Sequence, residues 1–134
     1  MSEQPFRRTI LVVDNDEDMR TAMCRILRRD GFSAIPAGQD LMARWLLEEH
    51  GHAVDLIVTD LLPPEPDGYH LGIPFGLRQP YLPVLFTATE SKDAHVRRGL
   101  LHPRAAYLRK PFPPRELGRA VRETLAGWRA LPAA

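Results

Sequence analysis

Short runs of apolar residues with little polar alternation recur along the chain. Three of them, at residues 9–13, 55–59 and 83–87, consist almost wholly of Val, Ile, Leu, Phe and Thr. Such runs are typical of strands that are covered on both faces of a sheet. Residues 32–36 and 105–109 are shorter strand candidates. The pattern therefore predicts five strands, most of them buried.

The segments between the strands carry apolar residues at helical spacing. Helices are predicted at residues 19–27, 41–49, 91–101 and 117–128, and the last has the clearest apolar stripe. After Gly68, glycine and proline at positions 72, 74, 76 and 80 oppose a regular helix, so we expect one or two turns there at most. The alternation of strand and helix predicts a parallel sheet with right-handed crossovers.

The length of 134 residues suits one domain, which we expect to span residues 1–134 with a core of about 8–128. The single cysteine, Cys24, excludes an internal disulfide framework and suits a reducing compartment. The chain has no apolar run of membrane-spanning length, and residues 1–8 lack the apolar centre of a signal peptide. The sequence thus predicts a cytoplasmic protein that does not bind a membrane.

The charges are unevenly distributed, although the formal net charge is only +1. Residues 1–91 hold 8 Lys/Arg against 14 Asp/Glu, a balance of −6, and residues 92–134 hold 10 against 3, a balance of +7. The carboxyl-terminal third is therefore expected to present a basic surface. Such a surface suits an acidic or phosphorylated partner, or it is simply a solvated face.

Polar side chains stand at the ends of four predicted strands. Asp14 and Asn15 follow the first, Asp60 the third, Thr87 ends the fourth and Lys110 follows the fifth. The carboxyl ends of parallel strands form one rim, where open α/β sheets bind ligands. Clustered carboxylates need a cation, and an all-oxygen set with few protein ligands suits Mg²⁺. An aspartate beside Mg²⁺, a lysine and a hydroxyl can accept a phosphoryl group as an acyl phosphate.

The residues at this rim and their order resemble those of the receiver domain of two-component response regulators. The match comprises Val12-Val13-Asp14-Asn15 with Arg20, Asp60 with Pro64 and Asp67-Gly68, Thr87-Ala88, and Tyr107-Leu108-Arg109-Lys110-Pro111-Phe112. These positions span nearly the whole chain. The resemblance implies a doubly wound, flavodoxin-like α/β fold with a five-stranded parallel sheet of order 2-1-3-4-5 and helices on both faces. The short or broken third helix, which the glycines and prolines after Gly68 predict, departs from the family.

The resemblance also implies a role for each residue of the rim. Asp60 would be the phosphoacceptor, taking its phosphoryl group from a histidine kinase, a phosphotransfer protein or a small phosphodonor. Asn15, Asp60 and the backbone carbonyl of Leu62 would bind Mg²⁺ directly, and Asp14 would act through water. Thr87 and Lys110 would hold phosphoryl oxygens and complete the catalytic set.

By the same resemblance, Tyr107 would change rotamer when Thr87 moves toward the phosphoryl group. That change would repack a face formed by the fourth helix, fifth strand and fifth helix, which is also the basic third of the chain. We expect this face to bind an effector protein, and the resemblance also allows a homodimer. The chain would signal without being an enzyme, and since no helix-turn-helix follows Trp128, it is not expected to bind nucleic acid directly.

Two positions depart from the family pattern. Asn15 stands where the family usually has aspartate, so one negative charge is lost and the affinity for Mg²⁺ is expected to fall unless Asp16 compensates. Leu62, two residues after Asp60, places an apolar group where water would attack the acyl phosphate.

Two other functions fit parts of the sequence. Val13-Asp14-Asn15-Asp16 resembles the Asp-x-Asp motif of haloacid-dehalogenase-like phosphatases, in which Asp14 would be the nucleophile. A receiver-like binding module that works without phosphate is the other alternative. The five histidines show no metal-ligand spacing and are predicted to be surface or packing residues.

Overall fold

The computed structural model describes residues 7–38, 49, 53–60, 82–99 and 101–128. The strands are β1 (Thr9–Val13), β2 (Ser33–Ala37), β3 (Leu56–Asp60), β4 (Val84–Ala88) and β5 (Ala106–Arg109). Within the described residues they form one parallel sheet in the order β2-β1-β3-β4-β5. The sheet and its strand order are those that the sequence predicted.

Three helices accompany the strands in the described part of the chain. They are α1 (Glu17–Arg29), α2 (Lys92–Arg97) and α3 (Pro114–Gly127). α2 and α3 correspond to the predicted fourth and fifth helices. The predicted second helix, apart from Glu49, lies outside the described residues, as do the broken third helix and Leu62.

Local chemistry fixes the ends of α1. The Asp16 side chain caps its first turn, because Oδ1 accepts hydrogen bonds from the backbone N–H groups of Asp18 at 2.9 Å and Met19 at 3.3 Å. The helix therefore begins two residues earlier than the apolar pattern indicated. Gly31 ends it with a φ of 94°, a left-handed conformation that glycine adopts without strain.

The helix predicted over residues 91–101 is shorter in the structure. Ser91 caps it by accepting a hydrogen bond from the backbone N–H of Ala94 at 3.3 Å, but α2 ends at Arg97. Gly99 has a φ of 73°, which turns the chain away from the helical path. The prediction of a helix to residue 101 was therefore wrong.

The core has two layers, one on each face of the sheet. On the face covered by α1 and α3, the buried residues include Ile10, Val12, Met23, Leu27, Leu56, Val58, Leu117 and Val121. On the other face they include Leu11, Val13, Ile57, Val84 and Phe86, against which Val96 of α2 packs. Helices thus cover both faces of the sheet, and the apolar stripe predicted for the last helix lies in the core. None of the helices described here is long and apolar enough to cross a membrane.

Candidate functional site

Three of the predicted site residues meet at the carboxyl edge of the sheet. Asp14 follows β1, Asp60 is the last residue of β3 and Lys110 follows β5. Lys110 Nζ lies 2.8 Å from Asp14 Oδ2 and 3.1 Å from Asp60 Oδ1. One ammonium group thus joins two carboxylates, and these three side chains carry a net charge of −1.

The protein shields the three charged groups to different degrees. The exposed fractions of their side chains are 2% for Asp14, 12% for Lys110 and 20% for Asp60. Both Asp14 oxygens accept hydrogen bonds, Oδ2 from Lys110 and Oδ1 from the backbone N–H of Asp16 at 2.8 Å. In the described part of the chain Asp60 bonds through one oxygen, to Lys110. Asp60 is therefore the carboxylate that an incoming reactant can reach.

The surroundings shift the pKa of two of these groups. Burial raises the pKa of Asp60; Lys110 opposes this shift and the charge of Asp14 adds to it. Burial alone would lower the pKa of Lys110, but its hydrogen bonds to Asp14 and Asp60 outweigh that effect and raise it. The lysine therefore stays protonated, as a group that neutralises an anion must.

Arg20 hydrogen-bonds to the backbone beside the pocket. Its Nη1 donates a hydrogen bond to the backbone carbonyl of Asp14 at 2.7 Å. A Cβ atom at Gly38, just after β2, would lie 2.7 Å from the same nitrogen. Arg20 was part of the family match, but no role was predicted for it. A side chain that donates a hydrogen bond to the backbone has no recognisable sequence pattern.

The residues beside Asp14 decide how a metal could bind. Asn15, which follows Asp14 in the sequence, is exposed and carries a neutral amide. Oδ1 of Asp16 accepts the hydrogen bonds that cap α1, and the compensating role suggested for Asp16 toward Mg²⁺ stays a prediction. No cluster of three or more His, Cys, Asp or Glu side chains forms a metal site in the described residues. Two carboxylates and an amide nevertheless fit Mg²⁺, which binds oxygen and keeps several waters.

Thr87 lies beside Asp60 in the sheet, but its hydroxyl points elsewhere. The two residues are partners in the register of β3 and β4. Thr87 is fully buried, and its Oγ1 donates to the backbone carbonyl of Thr59 at 3.5 Å, a long hydrogen bond. The hydroxyl must reorient before it can contact a group on Asp60.

Two side chains from β5 and one from the residue after α2 hold the loop of residues 89–91 that follows β4. The Tyr107 hydroxyl donates to the backbone carbonyl of Glu90, and Arg109 Nε donates to that of Thr89 at 3.0 Å. Arg98 pairs with the Glu90 carboxylate at 2.9 Å. Three side-chain contacts thus hold the loop that follows Thr87. The sequence indicated none of them.

His95 of α2 lies beside Tyr107. The two ring centroids are 6.0 Å apart, and the rings are tilted by 46°. His95 is 6% exposed, which agrees with the prediction of a packing residue.

Comparisons with known proteins agree with this geometry. The family model for the response regulator receiver domain matches residues 10–122. Sensor kinase CckA of Brucella abortus (strain 2308) is 29% identical over 117 residues, which are 87% of this chain and 12% of that protein. The Arabidopsis thaliana two-component response regulator ARR14 is 32% identical over 113 residues, 84% of this chain and 30% of that protein. The chain spans less than a third of either relative.

Solved structures show the same fold at low sequence identity. Chemotaxis protein CheY4 of Vibrio cholerae superposes with a TM-score of 0.75 at 21% identity, covering 89% of this chain and 99% of that one. A CheY-like receiver domain protein from Methanospirillum hungatei JF-1 gives 0.76 at 21% identity, covering 90% and 95%.

Proposed function

Because the chain belongs to the response regulator receiver domain family, we propose that it is a signalling switch that accepts a phosphoryl group on Asp60. Receiver domains act as phosphoacceptors in two-component signalling, and they generally bind Mg²⁺ at an acidic pocket. Residues 1–134 would form one receiver domain. The observation that carries it is the contact of Lys110 Nζ with both Asp14 and Asp60, at 2.8 and 3.1 Å.

The donor is a phosphohistidine of a histidine kinase or a phosphotransfer protein. A carboxylate oxygen of Asp60 attacks phosphorus in line, a P–O bond forms, and the P–N bond breaks with its electron pair returning to the donor imidazole. The greater exposure of Asp60 supports its choice as nucleophile over Asp14, whose side chain is 2% exposed. The chain modifies itself and does not turn over a separate substrate.

The remaining residues of the pocket neutralise and orient the phosphoryl group. Lys110 would keep its contact with Asp14 and exchange Asp60 Oδ1 for a phosphoryl oxygen, which its protonated state favours. Thr87 would donate its hydroxyl to a second oxygen. Mg²⁺, held by Asp14, Asn15, Asp60 and the carbonyl of Leu62, would supply further positive charge to the phosphoryl oxygens.

The signal would leave through the basic face formed by α2, β5 and α3. Thr87 moves toward the phosphoryl group and Tyr107 follows, so the loop of residues 89–91 changes shape. Residues 92–128 hold 9 Lys/Arg against 3 Asp/Glu, which supports an effector protein with an acidic docking surface as the partner.

The test is to find where the phosphoryl group attaches. The chain is incubated with Mg²⁺ and acetyl phosphate or phosphoramidate, reduced with borohydride to trap the acyl phosphate, and mapped by mass spectrometry. We expect the label on Asp60, no label in Asp60→Asn, and a slower reaction at Asp60 in Asp14→Asn. A label on Asp14 would identify the phosphatase chemistry instead, and no label at any donor concentration would indicate a phosphate-independent module.

A further inference from the structure

Hydrogen bonds hold Asp14 at each of its four polar groups. Its backbone N–H donates to the carbonyl of Ala37 at 3.2 Å, and its backbone carbonyl accepts from Arg20 Nη1 at 2.7 Å. Its carboxylate accepts from the backbone N–H of Asp16 at 2.8 Å and from Lys110 Nζ at 2.8 Å. The proposed phosphotransfer gives Asp14 and Lys110 a role but leaves Arg20 without one.

The carbonyl that Arg20 contacts belongs to the peptide group that joins Asp14 to Asn15. A peptide group is planar, so a hydrogen bond to its oxygen restrains the orientation of the whole unit. That orientation sets where the Cα atom of Asn15 lies relative to the Asp14 carboxylate. The donor is a charged guanidinium group, which makes the bond stronger than one between neutral groups. Arg20 therefore restrains the backbone that carries two of the residues proposed to hold Mg²⁺.

Gly38 provides the space that the Arg20 guanidinium occupies. It follows β2, and a Cβ atom there would lie 2.7 Å from Nη1 and 3.2 Å from Cζ of Arg20. The φ of Gly38 is not in the left-handed region, so its backbone conformation does not require glycine. The group that a Cβ atom would meet is the end of a flexible side chain. An alanine at position 38 is therefore expected to displace the guanidinium and to leave the fold intact.

We propose that Arg20 is a positioning residue of the pocket, because its guanidinium, packed against Gly38, orients the Asp14–Asn15 peptide for Mg²⁺ binding. In the proposed function, on which this inference rests, these two residues hold the cation. The restraint matters most for Asn15. Its amide is neutral, and the attraction between a cation and a dipole depends on orientation more than the attraction between two charges does.

Two other roles for Arg20 predict different results. If only its positive charge mattered, its removal would strengthen the binding of a cation, because like charges repel. If it only stabilised the start of α1, its removal would lower the free energy of unfolding and leave Mg²⁺ affinity unchanged. Arg28 is the matched control, since it lies on the same helix and its Nη2 donates to the backbone carbonyl of Ala34, near the amino end of β2, at 2.9 Å.

The experiment measures Mg²⁺ binding to the full chain by titration calorimetry. Arg20→Ala should weaken the affinity about tenfold, as expected when a group that orients a metal ligand is lost, and Arg28→Ala should change it less than about twofold. Gly38→Ala keeps every charge and should weaken the affinity about three- to tenfold, the factor for one net hydrogen bond. In an Arg20→Ala background Gly38→Ala should have no effect, because no guanidinium remains to be displaced.

A second measurement does not depend on the metal. The backbone ¹⁵N nucleus of Asn15 belongs to the peptide whose carbonyl Arg20 contacts, so its chemical shift reports on that hydrogen bond. In Mg²⁺-free solution this shift should change in Arg20→Ala and Gly38→Ala and stay near the wild-type value in Arg28→Ala. Circular dichroism checks that each variant folds. If Arg20→Ala does not fold, Gly38→Ala carries the test together with Arg20→Lys, which keeps a charged donor and should lose less affinity than Gly38→Ala.

Three results would overturn the inference, and they differ in what else they imply. If Arg20→Ala strengthens Mg²⁺ binding, or changes it as little as Arg28→Ala does, the guanidinium does not position the pocket, while the function proposed for Asp60 stands. The same conclusion follows if Gly38→Ala has an equal effect with and without Arg20. If the wild type binds Mg²⁺ no better than Asp60→Asn does, the proposed metal site is absent, and both this inference and the Mg²⁺-dependent function are wrong.

Discussion

The identity of residue 15 affects the net charge of the pocket, as do the charged residues that contact each other there. Asp14 and Asp60 contribute two negative charges, and Lys110 cancels one of them through its 2.8 and 3.1 Å contacts. An aspartate at position 15 would restore a second net negative charge. The cation that the pocket is proposed to hold would therefore bind more weakly in this chain than beside three carboxylates.

We predict that Asn15→Asp strengthens Mg²⁺ binding about tenfold, because one added charge near a cation is worth about 1 kcal/mol in water and more in a shielded pocket. Titration calorimetry measures the effect. Asp16→Asn is the matched control, since asparagine keeps the helix cap and should change the affinity by less than about twofold. A large loss in Asp16→Asn would mean that Asp16 is a ligand and that its capping role is secondary.

Tyr107 gives a pH dependence that can be measured directly. Burial raises the pKa of its phenol from the ordinary 10.0, Arg109 opposes the shift, and Glu90 adds to it. An acid with a raised pKa in the folded state binds its proton more tightly there. Its contribution to stability is therefore complete below about pH 10 and is lost as the pH rises through the folded-state pKa.

We predict that the free energy of unfolding falls with pH above about 10 more steeply in the wild type than in Tyr107→Phe. Urea denaturation at a series of alkaline pH values tests this, and phenolate absorbance gives the folded-state pKa by difference. A phenol at position 107 that titrates at or below the ordinary tyrosine value would contradict the prediction.

At the scale of single residues, the sequence could indicate which side chains meet but not how they bond. Asp14, Asp60 and Lys110 were predictable because parallel strands deliver their carboxyl ends to one edge of the sheet. The contacts of Arg109 with Thr89 and of Tyr107 with His95 were not, because they depend on rotamers in a packed interior. The capping role of Asp16 was not predicted either. In a run of acidic residues, the sequence does not show whether a carboxylate binds a metal or caps a helix.

At the scale of elements, the contact between α1 and α3 is unusually close at one glycine. Gly118 is buried on α3, and a Cβ atom there would lie 1.9 Å from Oδ2 of Asp30, the residue that ends α1. The Asp30 carboxylate is also 3.8 Å from Arg122. The end of one helix therefore rests on the backbone of the other.

We predict that Gly118→Ala lowers the free energy of unfolding by roughly 1 kcal/mol, because the steric conflict with Asp30 exceeds the gain in helix propensity. In an Asp30→Ala background the same change should raise stability by about 0.5–1 kcal/mol, since only the propensity gain remains. Urea denaturation of the four proteins decides between the two signs. An effect of the same sign in both backgrounds would show that the carboxylate is not what excludes a side chain at position 118.

The elements differ in how well their sequences specified them. The buried strands were predictable because a short, uninterrupted run of Val, Ile and Leu is typical of a strand that is covered on both faces. The end of α2 was not, because Gly99 can continue a helix or leave it, and the apolar pattern ran on to residue 101. Pro36 sits in β2, an edge strand of the described sheet, where its missing N–H costs least.

At the scale of the molecule, charge separates the basic face from the rest. Arg104, before β5, and Arg115, on α3, are exposed and have no ion-pair partner within the described residues. Arg98 and Arg119, in contrast, are paired with Glu90 and Glu123 at 2.9 and 3.0 Å. Unpaired guanidinium groups are the ones available to an acidic partner.

We predict that the double change Arg104→Glu, Arg115→Glu weakens binding of a synthetic polyglutamate peptide about tenfold at low salt, with a smaller effect at high salt because of screening. NMR titration provides the affinity. Arg25→Glu, an exposed position on α1, makes the same kind of charge reversal elsewhere and should have little effect. If it weakens binding per charge as much as the double change does, total charge and not the face decides.

The overall topology was the part of the molecule that the sequence specified best. Strand order followed from the resemblance and is found in the sheet, because right-handed crossovers leave few alternatives once the strands are known. The use of the basic face could not be fixed in the same way. The charge of the face indicates only that the partner carries the opposite charge. The identity of the partner depends on the shape of the contact surface.

Lys110 is separated from Asp14 by 96 positions and from Asp60 by 50, yet it contacts both. A chain still being translated, with residue 110 inside the ribosome, has both carboxylates but lacks the ammonium group that joins them. A chain cleaved before β5 lacks Lys110 in the same way. On the proposed function, such an incomplete chain would lack the positive charge that neutralises the phosphoryl group and would not signal.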